Sequence, residues 1–245
     1  MRLLYHIYQI IVLLPLLVIT TIVFGILIII ISPLGGDRWC GWFSSMIGQI
    51  WGWLIVRATL LPVTVNGREN IEPGKSYVIV ANHQGCYDIF LIIGFIRKKV
   101  RWMMKASLMK IPFLGRASRI SGHIAVDNTS PSHVHETYVR ACKSITNGVS
   151  LVIFPEGRRS TTGEMGEFRR GAFLIADKLQ LPVVPITIDG TFEVMPRDRD
   201  FKFARWHPLT MTIHPPIMPI SQSADDVKYL MEESRKAIRS AQTSK

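Results

Sequence analysis

Residues 10–31 form an unbroken run of 22 uncharged, mostly apolar positions, and after residue 57 the pattern changes to short apolar blocks separated by polar turns. A helix needs about 20 such residues to cross a bilayer core, so the first run predicts a spanning or deeply inserted helix. A cleaved signal peptide competes with this reading. The run is too long for a typical apolar signal core, however, and no A-x-A-like site follows it. A second uncharged stretch, residues 39–56, is less apolar and carries four of the six tryptophans. Tryptophan favours the headgroup boundary, so a short helix in the interface or re-entering one leaflet is expected, with a second full span as the alternative. Ser32, Pro33, Leu34, Gly35 and Gly36 read as the turn between the two.

Beyond residue 57, strand patterns fall at 76–82, 100–104, 123–127, 150–156, 181–189 and 209–215. Several are continuous apolar runs, as strands covered on both faces require. Ser130 as N-cap and Pro131 at the first helical position open a helix with Val134, Tyr138, Cys142 and Ile145 on one face, which Gly148 closes. Ser223 and Asp226 resemble a capping box before Val227, Leu230, Met231 and Ile238. Alternating strands and helices predict an α/β domain with a mostly central sheet flanked by helices. The division is membrane-anchoring helices over 1–57 and the α/β domain over 58–245.

The 245 residues suffice for one sizeable core. The net charge of +11 favours a polyanionic partner, and the mean hydropathy of +0.23 tilts the choice towards an anionic membrane surface. Residues 97–119 hold eight basic residues, no acid and interleaved apolar side chains. They read as a membrane-docking face, with a solvated charged face over core strands as the alternative. No nucleic-acid-reading motif accompanies them, so nucleic acid is not expected as a partner. Three widely spaced cysteines without a C-x-x-C fit a reducing compartment and neither a disulfide framework nor a zinc site. No metal is expected.

Two short motifs carry candidate chemistry: NHQGCYD over 82–88 and FPEGRRS over 154–160. On one continuous helix His83 and Asp88 would diverge by about 140°. They meet only if His83 lies in a loop after a strand and the helix starts after it, with Gly85 lending backbone freedom. Asp88 then orients one imidazole nitrogen and leaves the other as a base. On spacing alone, a histidine merely capping a strand end is the commoner case. Cys86 as an acyl-enzyme nucleophile is the rival, with only His83 placed to activate it.

These motifs, with KASLMKIPFLG, FRRGAF and LPVVPI in the expected order over about residues 60–190, resemble the glycerolipid (lysophospholipid) acyltransferase family, most nearly its 1-acyl-glycerol-3-phosphate acyltransferases. Lys105, Leu108, Pro112 and Gly115 match K-x-x-L-x-x-x-P-x-x-G, and Phe154 to Ser160 match F-P-E-G-x-R-S. Asn128 stands where the family usually has arginine, Arg158 replaces a usual threonine and Arg169 a usual lysine.

The resemblance implies transfer of a fatty acyl group from a thioester, acyl-CoA or acyl carrier protein, to the hydroxyl of lysophosphatidic acid, with no resident cofactor. His83 and Asp88 are the expected catalytic pair. Arg159 and Lys105, with Arg158 as a weaker candidate, are expected to clamp the acceptor phosphate through charged donors. Glu156 is expected to accept from an acceptor hydroxyl or to fix Arg159, and Gly157 and Ser160 to complete the substrate-binding turn. Asn128 keeps another lysolipid, such as lyso-ornithine lipid, in play, and a non-catalytic lipid binder is the remaining reading. The expected location is the cell inner membrane, with the catalytic domain facing the cytoplasm.

Overall fold

The computed structural model describes residues 2–126, 129–145, 148–197, 203–220 and 224–243. Asn128, the last residue of the 123–127 strand pattern and the Ser223 cap lie outside them. At the N-terminus α1 (Arg2–Tyr8), a π turn (Gln9–Leu13) and α2 (Leu14–Ile31) run on as one helix. A 3-10 turn (Ser32–Gly35) reverses the chain into α3 (Gly36–Ala58), a continuous 23-residue helix that extends past the 39–56 segment at both ends. Residues Arg2–Gly35 are long and apolar enough to cross a membrane, and only 17% of their most apolar window is buried. Leu3, Leu4, Ile11, Ile19 and Leu34 face outwards.

Polar contacts pin the start of this helix to the body. The π turn brings Gln9 inward, and its carboxamide pairs with both the C=O and the N–H of Ala204, each at 2.8 Å, as a strand neighbour would. The Tyr5 and Tyr8 hydroxyls donate to the carbonyls of Thr59 and Ala58, each at 2.7 Å. Towards its other end, Ile28 joins Phe43, Ile47 and Ala117 in a separate apolar cluster. The helix therefore lies along the body, touching it at points about 30 Å apart.

Seven strands form one sheet: β1 (Val63–Asn66), β2 (Val78–Ala81), β3 (Val100–Lys105), β4 (Ile124–Val126), β5 (Ser150–Ile153), β6 (Val183–Asp189) and β7 (Leu209–Ile213), in the order β1-β7-β6-β2-β5-β3-β4. From β6 to β4 all neighbours are parallel, whereas β7 runs antiparallel to β6 and carries β1 parallel to itself. Every residue of β2 and β5 is buried, which explains their unbroken apolar runs. Strand β1 was absent from the sequence reading because VTVN is short, alternating and at the sheet edge.

Helix α4 (Tyr87–Phe95) covers one face of the sheet, and α7 (Gly171–Leu179) and α9 (Ala224–Ser240) pack into the core on the other. The α3 helix lies on α4 and makes backbone-to-backbone contact at Gly52 and Gly94. The stripe Val227, Leu230, Ser234 and Ile238 buries one side of α9, as its period predicts. In α6 (Pro131–Ser144) Ser130 Oγ caps His133 N, but the buried stripe is Thr137, Ala141 and Ser144, Val134 is exposed, and the helix ends before Gly148.

The basic stretch 97–119 is not one continuous outer face. Lys98 is buried, its ammonium on the Glu72 carbonyl (2.9 Å) and 5.2 Å from the Tyr77 ring centre. Arg101 donates to Ser144 O at 2.9 Å, and Trp102 and Met109 are buried. The segment contains a strand of the sheet, so alternate side chains turn inward. Lys105, Lys110, Ile111, Phe113, Arg116 and Arg119 remain exposed.

Candidate active site

The connection from β2 leaves through α4 on one face of the sheet, and that from the adjacent β5 leaves through α7 on the other. Such a switch opens a crevice beyond the carboxyl ends of the two strands. His83 follows β2 and the 154–160 turn follows β5, so both motifs border this crevice.

Asn82 ends β2 with its side chain bonded to both the N–H and the C=O of Ile188, each at 2.8 Å, which ties the strand end to β6. The chain then leaves the sheet as a loop, and α4 begins at Tyr87, as the His83–Asp88 spacing demands. His83 Nδ1 lies 2.7 Å from Asp88 Oδ2. The same oxygen accepts the backbone N–H of Gln84 (2.7 Å) and of Gly85 (3.0 Å), and Asp88 is fully buried at the N-terminal turn of its helix. An oxygen receiving three donors makes Nδ1 the protonated ring nitrogen. Nε2 is then the basic one. The ring is stacked on Phe154, 3.9 Å centre to centre and 8° from parallel, which fixes its plane.

Glu156 sits beneath this pair. Its Oε1 accepts the His83 backbone N–H at 2.7 Å and its Oε2 that of Gly166 at 2.8 Å. Burial pushes its pKa up, and the two amide hydrogen bonds pull it part of the way back. Ser160 N donates to His83 O at 2.8 Å, so the β5 loop grips His83 on both its backbone groups. The Ser160 hydroxyl accepts from Gly163 N (2.9 Å) and shapes its own turn. Gly157 closes the turn begun at Phe154 with φ 72°, which a side chain would strain.

The residues expected to clamp the acceptor phosphate follow neighbouring strands at the same edge. Arg159 is half-buried and Arg158 exposed. Lys105 is the exposed last residue of β3; Trp102 pairs with Val152, so Lys105, three residues on, reaches the level of the 154–157 turn. The Cys86 thiol is directed at Met195 Sδ, 3.2 Å away. Sequence reasoning missed the roles of Asn82, Phe154 and Glu156. Each acts through a backbone group or a ring brought from another strand, and only strand pairing reveals that.

The acyltransferase family model matches residues 62–189. A 1-acyl-sn-glycerol-3-phosphate acyltransferase of Pseudomonas aeruginosa is 33% identical over 135 residues, covering 55% of this chain and 52% of that protein. One from Chlamydomonas reinhardtii is 29% identical over 206 residues, covering 84% and 60%. One from Brassica napus chloroplasts is 31% identical over 161 residues, covering 65% and 46%; the chain spans about half the length of these relatives. The crystal structure of the 1-acyl-sn-glycerophosphate (LPA) acyltransferase PlsC from Thermotoga maritima superposes with a TM-score of 0.81 at 27% identity, covering 99% of this chain and 98% of that one. With the motif pair, the crevice and the matched region falling on the same residues, the chain belongs to the acyltransferase family.

Proposed function

We propose that the protein acylates the free hydroxyl of lysophosphatidic acid from an acyl thioester, giving phosphatidic acid. The observation that carries this reading is the oriented His83–Asp88 pair, with Nε2 as the available base, beside an arginine-bearing turn. The names of the relatives point the same way.

Nε2 of His83 takes the hydroxyl proton as the acceptor oxygen attacks the thioester carbonyl. The buried Asp88 carboxylate stabilises the resulting imidazolium. Collapse of the tetrahedral adduct breaks the carbon–sulfur bond, and the imidazolium returns the proton to the departing thiolate. Arg159 and Lys105 hold the acceptor phosphate so that its hydroxyl meets the base. Glu156 acts on the His83 loop through the amides that its two oxygens accept.

The exposed apolar helix, held along the body, supports insertion from one side of a membrane. Free cysteines fit a body on the cytoplasmic side of the inner membrane. The test offers the protein in vesicles an acyl thioester with a panel of lysolipids and identifies products by mass spectrometry. Phosphatidic acid from wild type and none from His83→Ala, with vesicle association kept, is the expected result. Wild-type-like turnover by that variant removes the proposed base, and an aminolipid product alone reassigns the acceptor.

A further inference from the structure

Three arginines at the rim of the crevice have no part in the scheme above. Arg158, Arg169 and Arg170 are all exposed, and among the described residues none forms an ion pair. Arg169 donates its backbone N–H to Pro155 O at 2.9 Å, and its guanidinium lies over Gly157, 3.0 Å from where a Cβ would stand. It is thus beside the turn whose Phe154 stacks on His83 and whose Glu156 holds the His83 amide. Arg170 is the N-cap residue of α7, a helix with no acid in its first turn.

The nearby acids do not neutralise this group. Glu156 is engaged by two backbone amides, and Glu167 is taken by Arg235 through a two-pronged contact at 2.6 and 2.8 Å. The remaining acid of the loop, Glu164, is exposed and among the described residues pairs with none of the three guanidinium groups. Exposed planar donors beside the amino end of a helix suit a phosphorylated ligand.

The position selects which ligand. Helix α7 belongs to the sheet face opposite the one covered by α4 and α3, where the apolar N-terminal helices lie. A lipid acceptor approaches from the helical side. Arg169 and Arg170 stand exposed at the start of α7, on the other side, where a soluble co-substrate arrives. We propose that Arg169 and Arg170, aided by Arg158, bind the phosphates of a coenzyme A-type thioester donor, with the pantetheine arm leading its thioester to His83. This rests on reading the site as a thioester-using acyltransferase.

Direct binding of coenzyme A and of phosphate-free pantetheine is measured by calorimetry on the wild type and on Arg169→Gln/Arg170→Gln in the same detergent. The wild type binds coenzyme A more tightly than pantetheine, and the double variant loses about tenfold or more for coenzyme A while pantetheine is unchanged. Arg169→Lys/Arg170→Lys recovers part of the difference by keeping the charge. In turnover, KM for acyl-CoA rises in the glutamine variant, while KM for the lysolipid and the rate with S-acyl-pantetheine stay put. Unchanged coenzyme A binding, equal losses for both ligands, a rise confined to the lysolipid KM or to an acyl carrier protein donor, or lost vesicle binding each overturn the assignment. Coenzyme A binding that obeys the prediction in a protein that acylates no lysolipid would keep this site and discard the proposed reaction.

Discussion

The carboxylate of Glu156 grips the backbone of His83, with Oε1 2.7 Å from the amide nitrogen. A glutamate three residues before Arg159 therefore serves the loop that carries the proposed base, His83. Glu156→Gln keeps one acceptor but turns an NH2 group towards the second amide. Leaving such a buried donor unmatched costs about 1–3 kcal/mol, or about 3–10 °C in a domain of this size. The expected result is a lower Tm and a kcat reduced about tenfold or more, with KM for the lysolipid within about twofold of wild type. A raised acceptor KM at unchanged Tm would return Glu156 to the substrate.

Asp88 separates charge from scaffolding. Its Oδ2 alone receives His83 Nδ1, Gln84 N and Gly85 N. The carbonyl oxygen of an asparagine can stand at that point, while its NH2 takes the buried place of Oδ1, which has no hydrogen-bond partner among the described residues. Asp88→Asn should therefore lose a few degrees of Tm and also lack the negative charge that stabilises the imidazolium, with kcat expected to fall about 10²–10⁴-fold. Asp88→Ala removes the acceptor altogether, leaves two buried amides unpaired and should melt lower still. Equal melting of the two variants would contradict the three-donor geometry.

The motifs themselves were legible because they bracket strand ends: a buried run, then a loop with glycine, then a helix, is a local pattern. Their assembly was not. Phe154 and Glu156 reach His83 only because β5 is inserted between β2 and β3, an order that no local period encodes. The 97–119 stretch was legible only in part for a similar reason. Charge and apolarity alternate there, but Lys98 finds a carbonyl and a ring inside the body. The N-terminal helix was evident from length and apolarity, whereas the Gln9–Ala204 pairing spans 195 residues and leaves no trace in the run itself.

His123 gives the protein an acid-sensitive joint. It lies between α5 (Leu114–Ile120) and β4, and its Nδ1 accepts the Trp102 backbone N–H at 3.4 Å, which requires an unprotonated nitrogen. Burial foremost, then the neighbouring Arg101 cation, lowers its pKa to about 4. The unfolded chain takes up this proton near pH 6.5 and the folded chain does not. The stability it contributes is therefore complete above pH 6.5 and lost as pH falls towards 4, about 3 kcal/mol in all. His123→Gln keeps an acceptor that does not titrate. Melting followed from pH 7 to 4 should fall less steeply in the variant, and parallel curves would count against this assignment.

Gly94 is where the N-terminal helices meet α4, the helix that carries Asp88. A Cβ there would stand 2.4 Å from Trp53 N and 2.7 Å from Gly52 C, and one at Gly52 would stand 2.9 Å from Gly94 N. These neighbours are backbone atoms of α3, so no rotamer change relieves the clash and the two helices must part. Overpacking of this kind costs about 1–3 kcal/mol. Because Asp88 lies in the first turn of α4, a shift of that helix also disturbs the alignment of His83. Gly94→Ala should therefore lower kcat even at temperatures where the protein stays folded. Gly171→Ala, whose Cβ meets nothing within 4 Å, is the matched control and should leave both Tm and kcat close to wild type. Equal activity in the two variants would mean that α4 adjusts without moving its first turn.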